Sequence, residues 1–263
     1  MTSLTSPDGT AIAYEILGPQ DAPAIVLVDG AMCFRDAGPM RPIAEALSSE
    51  ARVVLYDRRG RGASTDTAPF AVDREVEDIA ALVEAAGGRA TLFGMSSGGA
   101  LALAAATALG PERVAKIAVY EPPFMPEPAI PAAAAYTAAL SAALAEGDRA
   151  TAVELFLRRV GVPDAGIEGM RRSPGWEQSL AIAPTLGYDD AALGDSRVPV
   201  ERAGALAVPL LALAGGASPA FLRFGAERLA EAAPDGHYAL VDGQTHDVQA
   251  APLAVHLLEF LRA

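Results

Sequence analysis

The chain has 263 residues, of which 51% are hydrophobic, and it carries a formal net charge of -13 at pH 7. This length allows one large domain with a substantial core. The negative charge argues against nucleic acid or an anionic membrane as a partner, because both select for clustered Lys and Arg. A single cysteine, Cys33, excludes an internal disulfide and fits a reducing, cytoplasmic location.

We expect neither a secretory signal nor a membrane span. Residues 1–18 lack a positively charged start followed by an apolar stretch. The apolar runs at 24–28, 100–109 and 209–214 fall well short of the roughly 20 residues that cross a bilayer. The expected protein is soluble and acts on a small molecule, and its oligomeric state stays open.

The predicted elements alternate between strands and helices. The turn Pro7-Asp8-Gly9 and the strand over 10–17 predict an antiparallel hairpin, with that strand at the exposed edge of a sheet. Apolar runs typical of parallel strands buried on both faces follow at 24–28, 53–56, 91–93, 117–120 and 210–213. Apolar residues have helical spacing at 41–48, 72–86, 100–109 and 221–232. This alternation predicts an α/β fold with a doubly wound sheet.

One segment, 122–202, interrupts the alternation because it is helical or irregular and contains no strand of the buried type. It follows the strand that ends at Tyr120, so it should lie over the carboxyl ends of the strands, where open α/β sheets bind ligands. We therefore predict a helical cap at 122–202 inserted into a core of 1–121 and 203–263. A cap that only protects the sheet is the alternative to one that lines a substrate pocket.

The residues Gly94-Met95-Ser96-Ser97-Gly98-Gly99 lie between a predicted strand and a predicted helix. A G-x-S-x-G motif in this context carries a nucleophile out of a sheet on a sharp turn. Glycine is expected at Gly94 and Gly98 because the turn brings backbone segments close together. Ser96 is therefore the candidate nucleophile, and an ordinary serine in a glycine-rich turn is the alternative.

A serine nucleophile needs a base within hydrogen-bond reach and an acid that orients the base. The chain has three histidines. His237 begins a strand-like run and His256 lies inside the last predicted helix, so both are expected to be structural or solvated. His246 lies in the loop 242–247 that follows the last strand, which makes it the candidate base.

These features together resemble the α/β-hydrolase fold family. The segment 56–64, Tyr-Asp-Arg-Arg-Gly-Arg-Gly-Ala-Ser, is similar to that family's loop after the fourth strand, and 240–246 is similar to its histidine loop. The resemblance implies an α/β-hydrolase fold with a doubly wound, mostly parallel sheet and an inserted helical cap. It also implies a serine hydrolase. We expect no cofactor and no metal, since no cluster of His, Asp and Glu has ligand spacing.

The resemblance further implies two oxyanion donors, the backbone N–H groups of Ser97 and Ala31. Where many relatives have His-Gly before the second donor, this chain has Asp29-Gly30. A carboxylate at Asp29 could lie in the pocket, close to developing negative charge. Alternatively, Asp29 is hydrogen-bonded to the backbone away from the pocket.

The acid of the triad is the main departure from the family. Most members carry an Asp after the seventh strand, but here the stretch 213–219 has no carboxylate and Ser218 or Ala217 occupies its place. Glu121 is the best substitute, because it follows the sixth strand and keeps the chain order of nucleophile, acid and base. Alternatively, Glu121 caps the hinge of the inserted cap domain or lines the pocket without contacting His246. Asp247 is less suitable, since adjacent side chains rarely converge, and it could begin the last helix as an N-cap.

The arginines of segment 56–64 predict either a phosphate-binding patch or a turn stabilised by ion pairs, and the acidic composition favours the ion pairs. Apolar and aromatic residues of the cap could line the pocket: Phe124, Met125, Tyr136, Phe156, Trp176 and Tyr188.

Three functions follow from these residues. The leading hypothesis is an esterase-like hydrolase that cleaves an ester, thioester or lactone through an acyl-enzyme on Ser96, with His246 as general base. The second is a lyase, isomerase or cyclase in which His246 moves protons and Ser96 only binds substrate, motivated by the missing acid and by Asp29. The third is a non-catalytic small-molecule receptor, against which the intact Ser96 and His246 argue.

Overall fold

The computed structural model describes residues 2–263. Its strands are β1 (Thr2–Thr5), β2 (Ala11–Leu17), β3 (Ala24–Val28), β4 (Arg52–Tyr56), β5 (Ala90–Met95), β6 (Val114–Tyr120), β7 (Leu210–Gly215) and β8 (Gly236–Val241). They form one sheet in the order β1-β2-β4-β3-β5-β6-β7-β8. The pairs from β3 to β8 are parallel, and the two pairs made by β2 are antiparallel.

The core helices alternate with these strands and cover both faces of the sheet. They are α1 (Met40–Leu47), α2 (Val72–Ala85), α3 (Ser97–Arg113), α10 (Ala220–Ala232) and α11 (Ala250–Arg262). Helices α1 and α11 bury one face, and α2, α3 and α10 bury the other. The predicted doubly wound α/β fold is confirmed.

The first strand of the sheet corrects the predicted edge. We expected 10–17 to be the exposed edge strand, but β2 pairs with both β1 and β4, and the short strand β1 is the true edge. The hairpin itself forms as expected. The four residues of β1 are mostly exposed, so their sequence carries no alternation that could have revealed them.

The helices inserted between β6 and β7 are α4 (Ile130–Ala145), α5 (Arg149–Arg159), α6 (Asp164–Arg171), α7 (Trp176–Ile182), α8 (Leu186–Leu193) and α9 (Val200–Gly204). They fall within or at the end of the segment predicted as a cap. Helix α8 packs on α3 of the core and on α4, so it joins the inserted helices to the sheet.

The described chain has one helix that is long and apolar enough to cross a membrane, judged by length and composition. It comprises a 3₁₀ turn and α4 (Glu127–Ala145), with a mean hydropathy of 1.3. Much of that hydropathy comes from alanine. In this fold Leu140 and Ala143 are buried against Ala152 of α5 and Leu186 of α8.

Candidate active site

Ser96 lies on a sharp turn between β5 and α3. Its backbone has φ 56° and ψ -130°, a strained conformation for a residue with a side chain. The Ser96 N–H donates to Tyr120 O at 2.9 Å. A Cβ on Gly94 would lie 2.2 Å from Gly98 O, and one on Gly98 would lie 2.2 Å from Val28 O. Both positions therefore require glycine, as the motif predicted.

Glu121 follows β6 directly and also has a positive φ, 46°. Its side chain is fully buried, and its Oε2 lies 2.7 Å from His246 Nδ1. Its Oε1 accepts a 2.7 Å hydrogen bond from Gly215 N–H at the end of β7. Both carboxyl oxygens are thus engaged, and the structure brings the predicted acid and base together. These contacts do not fit the alternative in which Glu121 caps the hinge of the inserted segment.

The loop that carries His246 is attached to β6 and to the segment after β7. The Tyr120 hydroxyl donates to Thr245 O at 2.6 Å, and Ala217 N–H donates to Gln244 O at 2.9 Å. Ser218, in the place where the family usually has its acid, is buried, and its Oγ has no hydrogen-bond partner among residues 2–263. Main-chain contacts from this segment position the histidine loop, while the carboxylate comes from β6.

The two expected oxyanion donors lie beside the serine. A Cβ built on Gly30 would be 3.1 Å from Ser96 Cβ, so the turn after β3 passes directly against the nucleophile. Ala31 and Ser97 both line the same cavity as Ser96. Ser97 is the first residue of α3, and amide N–H groups in the first turn of a helix have no intrahelical acceptor.

Asp29 is buried next to this turn, outside the residues that line the cavity. Its Oδ1 accepts the Gly30 N–H at 3.0 Å, and its Oδ2 has no partner among residues 2–263. Burial raises the pKa of Asp29 to about 7, against the opposing effect of Arg61. Of the two alternatives for Asp29, these contacts fit the backbone hydrogen bond away from the pocket.

A buried ion-pair network, which we call the arginine network (Arg58, Arg61 and Asp189), supports the oxyanion turn. Arg58 Nη1 donates to Asp29 O at 3.1 Å, and Arg61 Nη1 donates to Gly30 O at 2.6 Å. Both guanidinium groups pair with Asp189 of α8 at 2.6 Å. These contacts confirm the prediction of an ion-paired turn rather than a phosphate-binding patch.

Asp189 also connects the network to the serine turn. One of its oxygens, Oδ1, accepts a 2.8 Å hydrogen bond from Ser97 Oγ. Burial alone would raise the pKa of Asp189, but Arg61 and Arg58 bring it below its ordinary value. An ionised residue of the inserted helices therefore contacts the first residue of α3 and, through the arginines, the opposite oxyanion turn.

The cavity above Ser96 has a volume of about 530 Å³. Met125, Tyr136 and Phe156 line it, as expected for cap residues. Arg159 and Asp189 also line it, and the sequence analysis missed both. Neither residue belongs to a recognisable motif, and Asp189 acquires its partners only through contacts 92 to 131 residues apart in sequence.

Other sequence candidates lie elsewhere. His237 in β8 is exposed and contacts Asp235, and His256 lies in α11. Tyr188 stacks on Phe70 instead of lining the cavity. Asp247 is exposed, and the N-cap of α11 is Gln249, so the N-cap expected at Asp247 is wrong.

Comparisons with known proteins agree with this geometry. The model of the alpha/beta hydrolase family matches residues 25–256. The chain belongs to this family. An alpha/beta hydrolase of known structure from Sphaerobacter thermophilus DSM 20745 is 43% identical, with a TM-score of 0.86 over 98% of this chain and 99% of that one. The family, the fold and the assignment to a hydrolase enzyme family are confirmed.

Two further comparisons are more distant. A hydrolase from Pseudomonas aeruginosa PA01 is 25% identical, with a TM-score of 0.75 over 100% of this chain and 98% of that one. The 3-oxoadipate enol-lactonase 1 of Acinetobacter baylyi is 35% identical over 101 residues, which are 38% of this chain and 37% of the lactonase. That similarity spans little more than a third of the lactonase.

Proposed function

We propose that this α/β-hydrolase cleaves an ester, thioester or lactone bond of a small molecule through an acyl-enzyme on Ser96. The observation that carries the proposal is the 2.7 Å contact between Glu121 Oε2 and His246 Nδ1. This contact gives the imidazole a buried carboxylate partner. In this chain the family's usual position for that acid, after β7, has no carboxylate. A base oriented by an acid, in the same cavity as a half-buried serine, is the arrangement that activates a hydroxyl for acyl transfer.

The proposed reaction has two halves. With Glu121 bound to Nδ1, Nε2 is the nitrogen of His246 available to take the Ser96 proton as Oγ attacks the substrate carbonyl carbon. The C–O or C–S bond of the substrate then breaks, and His246 returns the proton to the departing alcohol or thiol. In the second half, His246 takes a proton from water, the hydroxide attacks the acyl carbon, and Ser96 leaves with that proton.

The tetrahedral intermediates place negative charge on the former carbonyl oxygen. The N–H groups of Ala31 and Ser97 are the proposed donors, and the N-terminus of α3 adds its partial positive charge. The carbonyl groups of Asp29 and Gly30 already accept hydrogen bonds from the arginine network, which supports the turn that presents Ala31. A donor held in place before the reaction costs no reorganisation during it.

The hydrogen-bonded Glu121 also weakens the reason for a non-hydrolytic enzyme. That alternative was motivated by the missing acid and by Asp29, and Asp29 lies outside the cavity wall. The local similarity to a protein named as an enol-lactonase supports keeping lactones among the candidate substrates.

Labelling with a fluorophosphonate tests the proposal. We expect the wild-type protein to be labelled at Ser96 and the Ser96→Ala variant not to be labelled. Glu121→Gln should slow labelling strongly, while Asp247→Asn, next to His246 but exposed, should label at the wild-type rate. A wild-type protein that is not labelled, or labelling that survives in Ser96→Ala, would contradict the proposal.

A further inference from the structure

Arg159 is the last residue of α5 and lines the same cavity as Ser96 and His246. Its Nη2 atom is buried and has no hydrogen-bond partner among residues 2–263. A buried guanidinium donor without an acceptor is costly, because the group has lost water and gained nothing in exchange. Such a donor in the wall of an active-site cavity suggests that its acceptor arrives with the substrate.

Arg58 and Arg61, which are buried in the same region, have hydrogen-bond acceptors for all their guanidinium nitrogens. Arg58 binds Glu75 with two nitrogens and Asp189 with the third. Arg61 binds Asp189, Thr185 and main-chain oxygens. Every guanidinium nitrogen of Arg58 and Arg61 is hydrogen-bonded and neither residue lines the cavity, whereas Arg159 lines it with an unpartnered nitrogen.

Asp190 is an acidic residue that lines the same cavity as Arg159. Burial raises the pKa of Asp190 above its ordinary value, although the hydrogen bond from Thr137 and the charge of Arg159 oppose this. The two side chains do not form an ion pair, and Asp190 Oδ1 instead accepts a 3.0 Å hydrogen bond from Thr137. The other acidic residue here, Asp189, is already neutralised by Arg58 and Arg61.

The Arg159 guanidinium packs over the ring of Tyr136. The guanidinium carbon lies 4.4 Å from the centre of the Tyr136 ring, within the range of a cation–π contact. A planar guanidinium resting on an aromatic face keeps its in-plane N–H groups for a ligand. A carboxylate matches this fork with two parallel hydrogen bonds.

We propose that Arg159 binds a carboxylate of the substrate, so that the enzyme acts on acyl compounds that carry a second, ionised carboxyl group. This inference rests on the proposed function and specifies its substrate class. The reacting carbonyl would lie at Ser96, and the carboxylate would lie under the cap against Arg159. Apolar side chains that line the same cavity, including Phe156 and Leu186, would contact the carbon chain that joins the two groups.

Matched pairs of esters test this inference. The mono-4-nitrophenyl esters of glutaric and adipic acid carry a free carboxylate, and their methyl 4-nitrophenyl diesters are neutral. We expect kcat/KM of the wild-type enzyme to favour at least one acid over its diester by at least tenfold. Arg159→Met should lower that ratio by roughly 10-fold to 100-fold, as expected for hydrogen bonds between two charged groups. Arg159→Lys should restore part of it.

Arg158→Met is the matched control. Arg158 is the neighbouring residue, but it is exposed and pairs with Glu154 and Asp164. It should leave the ratio of acid to diester unchanged. A wild-type enzyme without preference for either acid, or a ratio unchanged in Arg159→Met, would overturn the inference while hydrolysis of the diesters still supported the proposed function.

If none of these esters is cleaved, calorimetric binding tests the carboxylate site separately from the proposed hydrolysis. Glutarate and adipate would then be titrated into the wild-type, Arg159→Met and Arg158→Met proteins. Binding of either dicarboxylate that is weakened at least tenfold only in Arg159→Met would support the carboxylate site even though the hydrolase proposal had failed. Absence of binding of both, or equal binding to all three proteins, would overturn it.

Discussion

The two walls of the active-site cavity are built in different ways. The wall formed by the sheet depends on the main chain: Ser96 and Glu121 have positive φ angles, and backbone contacts fix the loops around them. The wall formed by the inserted helices depends on side chains: Asp189 pairs with buried arginines, and Arg159 rests on Tyr136. Backbone geometry therefore positions the serine and the glutamate, while side-chain contacts build the opposite wall and join it to the serine turn through Asp189.

The largest expected effect is the loss of kcat in Glu121→Gln, a substitution in the wall formed by the sheet. An amide has one oxygen, and Gly215 N–H requires an acceptor at Oε1. The amide NH₂ would then face Nδ1 of His246 and favour the wrong tautomer. We expect kcat to fall by about 10⁴-fold, the loss seen when a serine protease triad Asp becomes Asn.

Steady-state hydrolysis of a 4-nitrophenyl ester measures this loss. Circular dichroism should show an unchanged fold, because the amide fills the same volume. Asp247→Asn provides the control, with kcat within twofold of wild type. If Glu121→Gln retained more than a tenth of the wild-type kcat, Glu121 would not be the acid of this site.

A substitution in the wall formed by the inserted helices is expected to lower the free energy of unfolding. Asp189→Asn removes the carboxylate that Arg58 and Arg61 share. Arg58 keeps its ion pair with Glu75, but Arg61 is left without an ion-pair partner among residues 2–263. Leaving a buried charge unpaired costs about 3 to 5 kcal/mol in the free energy of unfolding. Urea denaturation measures the change.

Asp164→Asn is the matched control for this loss, since Asp164 is exposed and pairs with exposed Arg158. It should cost less than about 1 kcal/mol. Equal losses in the two variants would mean that the arginine network does not anchor the inserted helices to the core.

The same contrast between walls explains what the sequence could predict. The serine turn is contiguous, and the steric need for Gly94 and Gly98 follows from the turn itself. Glu121 could be nominated because it ends a recognisable strand, but only the fold brings it to His246, 125 residues away. Arg159 and Asp189 lie on helices without motifs, and their roles arise from tertiary contacts that no local pattern encodes.

Asp29 tests how the turn between the two walls tolerates charge. Its pKa is about 7 in the folded protein, above the ordinary value of 3.8. The folded state therefore binds the proton more tightly, and the contribution of Asp29 to stability is full below about pH 4 and is lost as pH rises to about 7. Between these values the slope is at most about 1.4 kcal/mol per pH unit.

Asp29→Asn should remove this slope, because the amide keeps an oxygen for Gly30 N–H and does not titrate. Urea unfolding of both proteins at pH 5, 6, 7 and 8 measures it. We expect the variant to gain stability relative to wild type with each step from pH 5 to 7. Parallel curves over this range would show that Asp29 is ionised throughout, and its charge would then act on the oxyanion turn.

The smallest expected effect concerns the hydrogen bond that joins the two walls. Ser97→Ala removes the donor to Asp189 but keeps the main-chain N–H, the proposed oxyanion donor. We expect a loss of about 1.5 kcal/mol in stability, as for a hydrogen bond to a charged group. The loss in kcat should be less than tenfold. Ser218→Ala is the control, since its buried Oγ has no partner among residues 2–263 and its removal should cost little.

The size of the kcat change in Ser97→Ala distinguishes two ways in which the walls can be coupled. If the strained turn alone orients the Ser97 N–H, the side chain is dispensable for catalysis and only stability falls. A loss of 10²-fold to 10³-fold in kcat, equal to removing an oxyanion donor outright, would contradict this expectation. The N–H would then depend on Asp189, and the inserted helices would help to assemble the catalytic geometry as well as to select the substrate.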